Sequence, residues 1–134
     1  MASNLKYSNG TRDAQQQGLI VYAGTGSLIK IYNGTQPANA NTAISTQTLL
    51  VSLPIAGSFG TDSNGTITIG AVTSGTAVAT ATADFFRIFK SDGTTVVMDG
   101  SVGTSGTDMI LDNTSIATGQ TVTITSGTII RANQ

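Results

Sequence analysis

Asp84-Phe85-Phe86-Arg87-Ile88-Phe89-Lys90-Ser91-Asp92-Gly93-Thr94-Thr95-Val96-Val97-Met98 is the stretch that decides the fold. Side chains alternate across an extended strand, so Phe86 and Ile88 share one face while Phe85, Arg87 and Phe89 share the other. Ser91-Asp92-Gly93 has the residues of a tight turn, and Thr94 to Met98 resumes an extended run. A strand apolar on both faces that leads directly into a turn and a second strand reads as a hairpin at the centre of a sheet. One face enters the core. The other needs a covering loop, helix or second chain.

The rest of the chain repeats this rhythm. Ser27 to Tyr32 alternates and is ended by Asn33-Gly34. Thr46 to Leu53 is stopped by Pro54. Asn64-Gly65, between apolar runs, is a hairpin signal, and Thr66 to Val72 follows with Ile67 and Ile69 on one face. Thr76 to Ala83 alternates Ala and Thr. Asp99-Gly100 opens a loop before Asp108 to Leu111. Gln120 to Thr125 turns Val122 and Ile124 inward, and Gly127 marks a bulge or bend before Thr128 to Arg131. Short strands spaced by turns at this density predict an all-β fold, an antiparallel β-sandwich of jelly-roll type. One short N-terminal helix is expected over Thr11–Ala23, capped by Thr11, with Asp13 in its first turn and Gly24 closing it. Residues 1–10 read as an N-terminal arm and residues 11–134 as a single β-sandwich domain, the size one core can support.

Composition narrows the chemistry. The chain of 134 residues contains no Cys, no His and no Trp, and its acidic residues are all aspartate. Disulfides, thiolate sites and the commonest general base are thereby excluded. The basic residues Lys6, Arg12, Lys30, Arg87, Lys90 and Arg131 are scattered, and the formal net charge is −1. That pattern lacks the basic stripe of a nucleic-acid binder. No segment is apolar for long enough to span a bilayer as a helix, and Met1 to Gly10 lacks a hydrophobic signal region. Asp62, Asp92, Asp99 and Asp112 fall in predicted turns, where carboxylates fix backbone geometry. Asp62-Ser63-Asn64-Gly65 is rich in oxygen, but an EF-hand loop closes on a Glu that this chain lacks. Gly24-Thr25-Gly26 has no phosphate-loop context, and no Gly-x-Ser-x-Gly elbow occurs with a partner base. The reading is therefore a non-enzymatic protein with no catalytic, cofactor-binding or metal-binding residues.

Several blocks carry a resemblance: Leu28-Ile29-Lys30-Ile31-Tyr32-Asn33-Gly34-Thr35-Gln36-Pro37-Ala38 followed by Leu49 to Leu53; Ala83 to Phe89 with Asp99 to Gly103; and Asp108 to Asn113 running on to Thr121–Thr125. In this order they resemble short proteins encoded among the head genes of tailed bacteriophages, capsid decoration or cement proteins. The likeness runs from about Thr11 to the C-terminus. Gly127 departs from it, standing where an apolar residue suits a final core strand. The resemblance implies a virion protein on the capsid exterior, assembled in the host bacterial cytoplasm. Its implied partners are the major capsid protein and other copies of itself, with no nucleic acid or membrane partner. The expected contact residues are Tyr7 in the arm and Phe85, Arg87 and Phe89 on the outer sheet face. The alternative is a tail, collar or fibre component that attaches to a host-surface glycan through exposed aromatics such as Tyr7, Tyr22 and Tyr32. A third reading, a hydrolase built on two aspartates, has no His, Cys or Glu to assist it.

Overall fold

A computed structural model describes residues 4–131; Met1–Ser3 of the expected arm and residues 132–134 lie outside the described residues. The chain is all-β with one short helix. Helix α1 spans Asn9–Ala23 and starts earlier than the sequence predicts. Ser8, not Thr11, is the cap: its Oγ accepts the Thr11 N–H at 3.1 Å, which satisfies one of the amides a first turn leaves open. The earlier start takes Asp13 out of the first turn. Its carboxylate instead accepts the Gly65 N–H at 2.7 Å. At the far end Gly24, at φ 72°, adopts the left-handed backbone that ends a helix and donates its N–H to Ile20 O.

The strands are β1 (Leu28–Asn33), β2 (Thr48–Pro54), β3 (Gly60–Ser63), β4 (Thr66–Ile69), β5 (Gly75–Thr76), β6 (Ala81–Thr82), β7 (Phe85–Phe89), β8 (Val96–Gly103), β9 (Met109–Leu111), β10 (Ser115–Ile116), β11 (Thr121–Val122) and β12 (Ile124–Ile130). Eight of them form one sheet in the order β2-β1-β7-β8-β9-β12-β4-β3, while β10–β6 and β11–β5 make two-stranded ribbons. The strands form one large curled mixed sheet, which fits the all-β expectation with one short helix and does not confirm its antiparallel jelly-roll arrangement. The mixed pair is β8–β9, which runs parallel with Val102 opposite Met109. Tight turns of the hairpin kind produce antiparallel neighbours. Between β8 and β9 the chain instead makes a short loop back to its own starting direction. Asp108 ties that loop down by accepting both the N–H and the hydroxyl of Ser101 at 2.9 Å.

The curl returns the segment after β4 to the outer margin of β2. Thr73 N–H donates to Pro54 O, Val78 N–H to Leu50 O and Ala56 N–H to Ala71 O. Inside lies one apolar cluster that includes Ile29, Ile31, Leu50, Leu53, Phe59, Ile67, Phe86, Ile88, Met109 and Val122. β7 contributes Phe86 and Ile88 to it, as the alternation predicts. Burial of these side chains stabilises the fold by about 1.5–3 kcal/mol each.

Two glycines show why β8 and β12 are longer than the sequence suggests. Asp99-Gly100 does not open a loop but lies within β8, because Gly100 sits under Phe86. A Cβ there would come within 2.4 Å of the Phe86 ring. Gly127 does not end a strand either. Its missing side chain leaves space that the Met109 sulfur fills, 2.5 Å from where a Cβ would stand. A bulge between Ile124 and Ser126 interrupts the pairing of β12 with β9, and beyond Gly127 residues Thr128 to Ile130 pair with β4.

Candidate interaction surface

The two ribbons follow one another along the same two segments. Thr76 lies opposite Thr121 in one and Thr82 opposite Ser115 in the other, with a bend at 78–79 and a turn at 118–119 between them. Ala77 N–H to Gln120 O and Ala83 N–H to Thr114 O extend the pairing. Alternation sends Ala77, Ala83, Ile116 and Val122 into the core. It sends Ser74, Thr76, Thr80 and Thr82 to solvent, facing Thr118, Thr121 and Ser115 on the other strand. Ser74 and Thr123 hydroxyls meet at 3.0 Å and those of Thr80 and Thr118 at 3.1 Å. Both stretches lack a charged residue. Val78, 65 % exposed, stands among the hydroxyls. The result is a face of short, uncharged side chains, two pairs of them joined through their hydroxyls. The sequence shows the alternation at Thr76 to Ala83 but not the partner segment that completes this face.

The outer side of β1, β7 and β8 has a different chemistry. Tyr32 lies opposite Phe85, Lys30 opposite Arg87 and Arg87 opposite Asp99. The Tyr32 and Phe85 rings stack at 5.3 Å and 15°. Lys30 Nζ sits 4.6 Å from the Phe89 ring centre and also donates to Gly93 O. Between the stacked rings and the Lys30–Phe89 contact, Arg87 Nε and Nη2 reach the two Asp99 oxygens at 2.6 and 2.9 Å. This fork is the strongest common form of ion pair. The bond to Asp99 raises the Arg87 pKa against the burial that lowers it. Burial raises the Tyr32 hydroxyl pKa, and the Arg87 charge opposes that shift.

Phe85, Arg87 and Phe89 are 1 %, 2 % and 8 % exposed within the single chain. Cover for this second face is therefore intramolecular, and these side chains present little area of their own to another molecule. Tyr7 is not beside them. It is half-buried near the end of β12, with the Arg131 guanidinium 5.5 Å from its ring, and β8 and β9 separate β12 from β7 in the sheet. Tyr22 is half-exposed at the end of α1, with Lys90 Nζ 3.9 Å over its ring.

Asp13, Asp62, Asp84, Asp92, Asp99 and Asp108 each accept a hydrogen bond within the fold. Asp84 accepts the Gly34 N–H at 2.7 Å. Asp92 accepts the N–H groups of Thr94 and Thr95 at 2.8 Å, and bonds to Thr95 and Thr94 lower its pKa to about 2. Asp13 holds Gly65, Asp99 holds Arg87, Asp108 holds Ser101, and Gln17 reaches Asp62. Among the described residues no cluster of three or more His, Cys, Asp or Glu side chains is arranged to hold a metal. A cleft of about 170 Å³ opens where β4 and β12 diverge, lined by Ile69, Gly70, Val72, Ile124, Thr125, Ser126 and their neighbours, none of them titratable. Among the described residues no helix is long and apolar enough to cross a membrane.

Comparison with protein-family models, with curated proteins and with solved structures finds no match to the chain.

Proposed function

We propose that this chain is a non-enzymatic structural protein of a tailed-bacteriophage particle that decorates the capsid exterior and cements it by bridging neighbouring capsid subunits. The block-wise sequence resemblance supplies the setting. The hydroxyl face of the 74–82 and 115–123 ribbons carries the mechanism. Ser and Thr have little side-chain entropy to lose on contact compared with long charged residues. A face without charges docks without stripping water from ions. Each contact is weak, but copies arrayed on a symmetric shell engage together, and avidity multiplies the strength. The carboxylates support the same reading, because those bonded to backbone amides and to Arg87 are already committed to holding the fold.

The test is binding of the purified chain to shells that lack it, read by co-sedimentation and by cryo-electron microscopy of the particle. The expected result is density on the shell exterior and loss of binding in Thr80→Lys/Thr121→Lys, with the circular dichroism spectrum unchanged. Absence of the chain from the shell, or full binding by that charged variant, overturns the proposal.

A further inference from the structure

We infer that Asn9 is a site of spontaneous deamidation, closing an imide with Gly10, and that the fold protects the two other Asn-Gly pairs. In this reaction the main-chain nitrogen of the following residue attacks the asparagine Cγ. A carbon–nitrogen bond forms, the bond to the side-chain nitrogen breaks, and ammonia leaves. Water then opens the imide to aspartate or isoaspartate. Water is the only co-reactant, and a following glycine favours the attack because no Cβ crowds the ring.

The chain has Asn-Gly at 9–10, 33–34 and 64–65. At Asn33 both reacting groups are held. The side-chain nitrogen donates to Thr82 O at 2.9 Å and to Asp84 at 3.1 Å, and the Gly34 N–H donates to the same Asp84 oxygen at 2.7 Å. At Asn64 the attacking Gly65 N–H is taken by Asp13 at 2.7 Å. The Gly65 carbonyl is held as well, by Gln16 Nε2 and by the Arg131 N–H, each at 2.8 Å. Either asparagine can react only after these hydrogen bonds open.

Asn9 differs in its attacking nitrogen and in its exposure. Gly10 lies in the first turn of α1, where a helix offers its N–H no internal acceptor. Ser8 uses its hydroxyl and carbonyl on Thr11 and Arg12, one and two residues further on. The Asn9 side-chain oxygen accepts from Arg12 Nη1 at 3.0 Å, which draws electron density from the carbon under attack. Ser8, Asn9 and Gly10 are exposed. Opening an exposed first turn costs far less than opening a latched hairpin. The product has a consequence of its own. Aspartate at position 9 places a full negative charge on the existing Arg12 contact, while isoaspartate adds a backbone carbon inside the first turn.

The experiment is peptide mapping by mass spectrometry, with isoaspartate detection, of the folded chain held in mildly alkaline buffer. The expected rate at Asn9 exceeds the rates at Asn33 and Asn64 by about tenfold or more. In strong denaturant the three rates converge. Gly10→Ala should slow Asn9 alone, since a Cβ there meets nothing nearer than Ser8 Oγ at 4.0 Å. The inference is overturned if Asn33 or Asn64 reacts as fast as Asn9 in the folded chain, or if Asn9 keeps its lead when the chain is unfolded.

Discussion

The Arg87–Asp99 fork allows a quantitative test of the outer sheet face. The two side chains are 2 % and 5 % exposed, so a partner left alone has little water to turn to. Asp99→Ala strands a buried guanidinium, and Arg87→Met strands a buried carboxylate. Each single change should cost about 3–5 kcal/mol, the penalty for an uncompensated buried charge. Unfolding entropy of about 2.1 cal/mol/K per residue gives about 0.28 kcal/mol/K for 134 residues. A loss of about 3 kcal/mol therefore lowers Tm by about 11 °C. The double variant Arg87→Met/Asp99→Leu removes both charges and keeps apolar bulk, so it should lie within about 1–2 kcal/mol of the parent. Urea titration followed by far-ultraviolet circular dichroism measures all four corners of the cycle. Single losses below about 1 kcal/mol, the scale of a solvated pair, would refute the reasoning. A double loss equal to the sum of the singles would do the same.

Two further expectations follow from the geometry. Gln16, 4 % exposed, donates to Gly65 O and Ile129 O at 2.8 and 2.9 Å; Gln16→Met keeps the bulk but removes both donors. It should lose about 1–3 kcal/mol, and hydrogen exchange should speed in α1 while β1 and β7 stay protected. Asp92 has its carboxyl lowered from 3.8 to about 2, chiefly by the Thr95 hydroxyl. A depressed acid supports the turn above its unfolded pKa and loses that support as pH falls through the folded one. Carboxyl carbon NMR should therefore titrate near pH 2 in the parent, and nearer 3.8 in Thr95→Val.

The sequence makes legible what depends on neighbours along the chain. Alternation at Phe85–Phe89 separates the core face from the outer face, and Asn64-Gly65 fixes a hairpin. What escapes it depends on residues far apart. Asp99-Gly100 has turn chemistry in isolation, yet becomes strand because Arg87 needs the carboxylate and Phe86 needs the missing Cβ. Gly127 has a place in a core strand only because Met109 reaches across to fill it. Ser8 outranks Thr11 as the cap because α1 begins early enough to set Asp13 and Gln16 against the 64–65 turn. The hydroxyl face is half-legible: Thr76 to Ala83 shows the alternation, but its pairing with residues 115–123 is set by the curl of the whole sheet. At the expected contact residues, the apolar pattern of β7 was readable and its intramolecular cover was not.

The return of residues 71–78 along β2 has a bearing on crowding. An open strand margin is a template onto which another chain can add, and stacking that repeats itself ends in fibres. Here one end of the sheet order is sealed by the protein's own backbone through the Thr73 and Val78 amides. The other end, β3, is only four residues long, and Gln17 of the helix reaches across to Asp62 there. With the margins of the sheet engaged in this way, strand addition from another copy finds little open backbone to pair with.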